Sequence, residues 1–265
     1  MTSPISRRAA PVRPPARGAA PRRRLPRSFY RRPTLQVARD LLGQRLVVID
    51  RGRRLSGWIV EAEAYIGSED LGCHARVGRT ERNRSMWGDA GHAYVYFTYG
   101  MHWCLNIVTE RAGRPAAVLL RALAPAEGLP TMLRRRGPAA RRRSADGSQA
   151  RDRVPPAGTV LPPSALRHAA GFTDGPAKLC QALGIDRRFD GHDLCAPQAR
   201  LFIEAGWRVP DALVRSGPRV GLHNVPEPWR SKPWRFWIPA PPSGGRRLAA
   251  RHDDRRGAPL RRVNA

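Results

Sequence analysis

Two glutamates, a group of tyrosines and one arginine are the residues of this chain whose types and spacing offer chemistry. The run Gly57-Trp-Ile-Val-Glu-Ala-Glu-Ala-Tyr65 reads as a strand, which puts Ile59, Glu61, Glu63 and Tyr65 on one face and Trp58, Val60, Ala62 and Ala64 on the other. Acidic residues on a strand ordinarily face solvent. Where such a face lines a cleft instead, an ionised carboxylate is a general base for water. Spacing alone does not separate Glu61 from Glu63. A second apolar run, Ala116-Ala-Val-Leu-Leu-Arg-Ala-Leu123, is interrupted by Arg121. An arginine in an otherwise buried strand must meet an anion or a set of carbonyls, and a carboxylate of the earlier strand is a candidate partner.

The aromatic groups come from His92-Ala-Tyr-Val-Tyr-Phe-Thr-Tyr-Gly-Met-His-Trp-Cys-Leu-Asn-Ile-Val-Thr109, two alternating runs interrupted at Gly100. This pattern predicts a hairpin with a tight turn. Tyr94, Tyr96 and Thr98 share one face, Val95, Phe97 and Tyr99 the other, and Tyr99 beside the turn is free to project outward. Crowded aromatics on a hairpin are more often packing than ligand contacts, so the segment alone favours a core reading.

The elements that must hold these residues follow from the rest of the 265-residue chain, long enough for one substantial domain with tails. Residues 33–43 predict a helix capped by Thr34, with Leu35, Ala38, Leu41 and Leu42 on one face and Gly43 at its end. A strand over 46–50 and a turn at 51–53 lead into the glutamate strand. Residues 131–172 begin as a short basic helix and pass into a Pro-rich flexible insertion. Residues 175–184 predict a helix with Pro176 in its first turn, Gly184 at its end and Lys178 placed for a phosphate. Residues 201–204, 219–222 and 234–238 read as strands. The globular domain is therefore 33–240. Residues 1–32 and 241–265, rich in Pro and Arg, read as disordered basic tails.

The formal net charge is +27 and the sequence pI about 11.7. A field of that sign and size favours a polyanion, nucleic acid foremost. Nearly all the cations are arginine, with lysine only at positions 178 and 232, as GC-rich codon usage produces; the shortage of Asp and Glu needs another cause. No apolar run is long enough to span a bilayer, and the first residues lack the apolar core of a secretory signal. Four cysteines without a C-x-x-C pair argue against a zinc or iron–sulfur site and suit a reducing cytoplasm.

Eight motifs stand in one order: Glu61-Ala-Glu-Ala-Tyr65, Glu69-Asp-Leu-Gly-Cys-His74, Arg82-Asn-Arg84, Tyr94-Val-Tyr96 with Tyr99-Gly-Met101, Cys104-Leu-Asn106, Leu119-Leu-Arg-Ala-Leu123, Gly175-Pro-Ala-Lys-Leu-Cys-Gln-Ala-Leu183 and Lys232-Pro-Trp-Arg-Phe236. Together they resemble the alkyladenine (3-methyladenine) DNA glycosylase family of base-excision repair, over most of residues 33–240. The resemblance implies a mixed α/β domain around a curved, open-barrel-like antiparallel sheet with flanking helices and a protruding hairpin. It further implies Glu63 as general base and Arg121 near the catalytic water and DNA backbone. Tyr65 would form one wall of a damaged-base pocket, His74 and Tyr96 the other, and Asn106 a gate against guanine. Tyr99, with Met101, would intercalate into the minor groove, while Arg82, Arg84 and Lys178 are expected on the DNA backbone. The expected partner is double-stranded DNA containing damaged purines, met by a monomer in the bacterial cytoplasm, at the nucleoid, without metal, cofactor, membrane or obligate protein partner.

That chemistry is self-consistent. A base inside a duplex must be flipped out before its glycosidic bond is reached, at a cost lowest for damaged pairs. Purines alkylated at N3 or N7 are cationic, so aromatic walls attract them and they leave readily. No lysine is expected near the glutamates, which argues against a Schiff-base lyase step. Neutral lesions such as hypoxanthine or ethenoadenine require leaving-group protonation that no residue of the sequence identifies. Rival readings are a basic binding module without catalysis, a lesion-recognition protein that no longer excises, and a zinc nucleobase deaminase. The last lacks its H-x-E and P-C-x-x-C motifs.

Overall fold

The long glutamate strand is the spine of the molecule. In the protein's structure, a computed structural model, residues 23–138 and 172–239 are described. Strand β1 (Arg45–Asp50) turns through Arg51 and Gly52, both at positive φ, into β2 (Arg53–Ile66). That two-residue turn with left-handed backbone at both positions matches the twist of the strands it joins. β2 then serves two neighbours along one edge. Its first half pairs with β1, and Glu61, Ala62 and Glu63 pair with β8 (Arg235–Trp237), which also pairs with β7 (Arg215–Gly217). Its other edge pairs throughout with β5 (Ala116–Glu127).

Beyond β5 lies the hairpin of β3 (Ala93–Thr98) and β4 (His102–Val108), and beyond β1 lies β6 (Leu201–Glu204). The order is β3-β4-β5-β2-β1-β6, with every described pairing antiparallel, and the sheet curls into a half-barrel. The mixed α/β class and curved antiparallel sheet implied by the resemblance are what the structure has. Helices α2 (Thr34–Asp40), α3 (Leu129–Arg136) and α4 (Pro176–Leu183) bury Val37, Ala38, Met132, Leu179 and Leu183 in the main core, with Ala62, Ala64, Val95 and Ile107 of the strands. A smaller cluster of Cys73, Ala75, Met86, Tyr94 and Ala117 carries Tyr65 and Tyr96 against it.

Several expectations need correction. Folded structure begins before residue 33: Leu25 N donates to the Ile203 carbonyl at 2.8 Å, and Tyr30, closing α1 (Arg27–Tyr30), is fully buried in the main core. The aromatic side chain of Tyr30 gives this arm the apolar anchor that its arginines and prolines obscured. Residues 1–22 and 240–265 lie outside the described residues, as does 139–171, which holds most of the expected insertion. The short basic helix expected at the start of that insertion is present, since 131–136 belong to α3, where Met132 and the partly buried Leu133 dock on the core. Thr34 does not cap; Pro33 holds the cap position, and the Thr34 hydroxyl bonds Thr109 and Glu110. Gly43, at φ 81°, ends the helical stretch as expected. Residues 219–222 form a turn with Gly221 at φ 84° rather than a strand. Finally, Ile59 does not share the face of the two glutamates. β2 pairs Ile59 with Leu123 and Glu61 with Ala122, so Val60 is an extra residue that resets the alternation, and Ile59 goes into the main core.

Candidate active site

The same irregularity builds the site. One step on, Glu61 pairs with Ala122 and Ala62 with Leu120, which makes Arg121 the extra residue on β5 and restores register. The two bulges face each other across the strand pair and re-aim both side chains. Arg121 Nε donates to Glu61 Oε1 at 2.9 Å and lies 3.4 Å from Glu63 Oε1. The arginine in the apolar strand thus meets carboxylates of the earlier strand, and Arg235 of β8 approaches Glu61 at 3.4 Å.

Glu63 has no solvent exposure. Its Oε1 accepts from the Val220 amide at 2.7 Å and its Oε2 from the Tyr65 hydroxyl at 2.9 Å. Burial raises its pKa above the ordinary glutamate value; Arg121, the Val220 N–H and the Tyr65 hydroxyl act in the opposite direction without cancelling the rise. Two hydrogen-bond donors and the nearby Arg121 guanidinium therefore hold one carboxylate in a fixed orientation. Glu61 is less buried and is engaged by Arg121 and Arg235, which separates the two glutamates in a way their spacing did not.

A cavity of about 240 Å³ lies against this group, lined by Tyr65, His74, Tyr94, Tyr96, Asn106 and Arg121, with Val220 and Tyr99 also contributing. Drug-sized sites run from roughly 300 Å³ upward, so this volume suits one flat ring system. Glu63 does not line it; Tyr65, Arg121 and Val220, its three contacts, do. Tyr94, Tyr96 and Thr98 face the cavity as the alternation of β3 requires. The His74 and Tyr96 rings meet edge to face at 4.5 Å, and His74 Nδ1 lies 2.9 Å from the Tyr94 hydroxyl. Burial, with Arg82 and Arg76 adding repulsion, pushes the His74 pKa down to about 4, so the ring is neutral at neutral pH. Asn106 is buried and donates through Nδ2 to the Tyr94 carbonyl at 3.1 Å.

The hairpin tip has a different character. Thr98 accepts from the Met101 amide at 3.2 Å across a turn in which Tyr99 and Gly100 both have positive φ, 51° and 64°. Glycine adopts that conformation freely; tyrosine does so at a cost of roughly 1–3 kcal/mol. Tyr99 is nonetheless 85% exposed and Met101 67%. Two large apolar side chains stand out from the tip, one held there against backbone preference.

Arg82, Arg84 and Lys178 are at the surface, each with a partner in the chain. Arg82 donates to the Phe97 carbonyl at 3.1 Å beside the hairpin, Arg84 pairs with Glu81 at 3.2 Å, and Lys178 with Asp174 at 2.8 Å. Among the described residues no group of three or more His, Cys, Asp or Glu is arranged to hold a metal, and no helix is long and apolar enough to cross a membrane.

Sequence reasoning missed four contributors. Tyr94 was on the correct face but had no assigned place in the site. The Val220 contact is made by a backbone amide, which no side chain announces. Asp70 and Arg219 form a fully buried ion pair behind Tyr65, between segments 149 residues apart.

Residues 28–242 match the family model of methylpurine-DNA glycosylases. A protein of Myxococcus xanthus whose 3-methyladenine DNA glycosylase name is provisional is 42% identical over 232 residues, 85% of this chain and 98% of that one. A similarly named protein of Methanocella arvoryzae is 44% identical over 213 residues, 80% of this chain and 91% of that one. The DNA-3-methyladenine glycosylase of Mus musculus is 41% identical over 223 residues, 83% of this chain and 60% of the mouse protein. A family match over this much of the sequence, with long relatives around 40% identical, means that the chain belongs to the methylpurine-DNA glycosylase family.

Proposed function

We propose that this DNA glycosylase flips alkylated purines out of duplex DNA and hydrolyses their N-glycosidic bonds with a water activated by Glu63, leaving an abasic site. The observation that carries the reading is the buried Glu63 carboxylate, held by the Val220 amide, the Tyr65 hydroxyl and the Arg121 charge, all three of whose residues line the base-sized cavity.

An extruded base enters between Tyr65 and the His74–Tyr96 wall, where stacking on aromatic rings contributes roughly 1–3 kcal/mol per base. A cationic 3-methyladenine or 7-methylguanine gains further from the ring faces. Neutral His74 adds no repelling charge. As the bond to the sugar lengthens, positive charge develops on the sugar and the electron pair leaves with the purine nitrogen, neutralising the base. Ionised Glu63 stabilises that charge and takes a proton from the water whose oxygen bonds to the sugar carbon. The water approaches at the Arg121–Val220 wall, whose two residues both contact Oε1. Hypoxanthine and ethenoadenine are possible only where their leaving nitrogen acquires a proton. Tyr99 and Met101 enter the minor groove and hold the gap, and Arg82, Arg84 and Lys178 exchange their present partners for backbone phosphates.

The experiment is release of free 3-methyladenine from methylated duplex DNA in the presence of chelator. Asn106 provides a more specific check. Its Nδ2 is committed to the Tyr94 carbonyl at the cavity wall, so a guanine, with its exocyclic 2-amino group, meets a fixed donor. Asn106→Ser, smaller and without that donor, is expected to raise excision of undamaged guanine by about tenfold or more, the effect of one lost steric or polar conflict. Guanine release from unmodified duplex measures it, and an unchanged rate would remove Asn106 from the gate.

A further inference from the structure

Arg219 and Asp70 are both fully buried, and the chemistry proposed for the site makes no use of either. Arg219 donates through both terminal nitrogens to the two Asp70 oxygens, and also to the carbonyls of Ala64 at 3.1 Å and Trp229 at 3.2 Å. Its guanidinium carbon lies 4.6 Å from the centre of the Tyr65 ring and 5.0 Å from that of Trp234. Asp70 in turn accepts from the amides of Ile66 and Gly72. Four segments meet at this pair: the end of β2 with Tyr65, the loop leading to His74, the turn carrying Val220, and the stretch at Trp229–Trp234. A buried ion pair of this kind is rarely a gain in stability over apolar side chains of the same volume. Its bidentate geometry instead fixes the relative position of what it joins.

We propose that the Asp70–Arg219 pair is a positioning element of the active site: it registers the Val220 amide on Glu63 and the Tyr65 ring between Glu63 and the cavity. The proposal rests on the reading of Glu63 as the base. Arg219 is one peptide unit from the Val220 N–H that donates to Glu63 Oε1, and its guanidinium stacks behind the ring whose hydroxyl donates to Oε2. Both neutral donors of the carboxylate are thus referred to the same cation. The charged and titratable groups around Glu63 are otherwise Arg121 of β5, Glu61 and Tyr65 of β2, Tyr96 of β3, and Arg235 opposite it on β8.

The test is the double variant Asp70→Leu/Arg219→Met, which replaces the pair with apolar side chains and leaves no orphaned charge. Thermal midpoint, binding of lesion-containing duplex and single-turnover release of 3-methyladenine across pH are measured together. A midpoint within a few degrees of wild type, retained duplex binding and a release rate lowered about 10²-fold are expected, since a displacement near 1 Å costs that much in a positioned reaction. The acid limb of the rate profile is expected to move to higher pH, because a carboxylate that loses the Val220 donor is easier to protonate. Wild-type rate and an unmoved limb in the folded variant overturn the proposal. Should the double variant not fold, Arg219→Lys keeps the charge but not the two-point contact, and a wild-type rate and profile there overturn it equally. Glu63→Gln runs beside both: undiminished release by that variant shows that the assignment of the base has failed, whereas collapse in Glu63→Gln with full activity in the pair variants isolates the failure to the clamp.

Discussion

Glu63→Gln is expected to lose about 10²–10⁴-fold in the single-turnover rate, the contribution of a positioned general base, while binding the same duplex normally. The substitution changes little else. Glutamine Oε1 still accepts from the Val220 amide, its Nε2 can donate to the Tyr65 oxygen, and Arg121 keeps Glu61 at 2.9 Å. The loss therefore reads charge and basicity rather than collapse of the site.

The pH dependence has a definite sign. Burial raises the folded-state pKa of Glu63, so the wild-type rate falls with acid from a point above the ordinary glutamate value. Arg121→Ala, which removes an opposing charge, moves that point higher still. Stability runs the other way. A carboxyl whose folded pKa is raised favours the fold while protonated, and that contribution is lost as pH rises through the folded value. At neutral pH Glu63→Gln is accordingly expected to unfold at a higher temperature than wild type, with the difference shrinking as pH falls. Calorimetry at two pH values checks this; a lower midpoint for the glutamine variant at neutral pH contradicts it.

Tyr99 carries the second large effect. Tyr99→Ala is expected to weaken the captured, base-flipped complex by about 10²-fold, in line with the few kcal/mol per unstacked step that a minor-groove wedge must offset. Initial association, governed by the basic surface, changes little. Because Tyr99 has φ 51°, the hairpin gains only from a replacement that tolerates left-handed backbone. Tyr99→Asn, a residue that tolerates the left-handed region, is expected to raise the free protein's stability by up to roughly 1 kcal/mol while lowering capture as alanine does. Stopped-flow fluorescence with a reporter beside the lesion separates association from flipping. Equal losses in both steps, or a less stable asparagine variant, contradict the wedge.

The parts of this molecule that were legible are those written in side chains along one strand. Alternation put Tyr94, Tyr96 and Thr98 on one face of β3, and the cavity is on that face. Arg121 in an apolar run demanded an anion and has two. Gly43, Gly100 and Gly184 marked turns of the backbone, and all three have positive φ. What stayed hidden depends on pairing between distant segments. The bulge at Val60 is meaningful only because β5 answers it at Arg121, and without it Ile59 falls on the wrong face. Residues 219–222 are alternating and apolar enough for a strand, yet the turn wins because it delivers an amide to Glu63 and a guanidinium to Asp70. The arm before residue 33 looked too polar to fold; pairing with β6, buried Leu25 and Tyr30, and ion pairs of Arg27, Arg31 and Arg32 hold residues 23–32.

Hydrolysis of the base–sugar bond by the protein alone is measured by single-turnover incubation with a duplex containing one 7-methylguanine, in chelator, with both free base and strand integrity followed. Stoichiometric release of the free methylated base is expected, with both strands intact until alkali cleaves the abasic site. Tight, lesion-dependent binding without release would contradict it and make this a recognition protein; strand cleavage accompanying release would contradict the simple hydrolytic step.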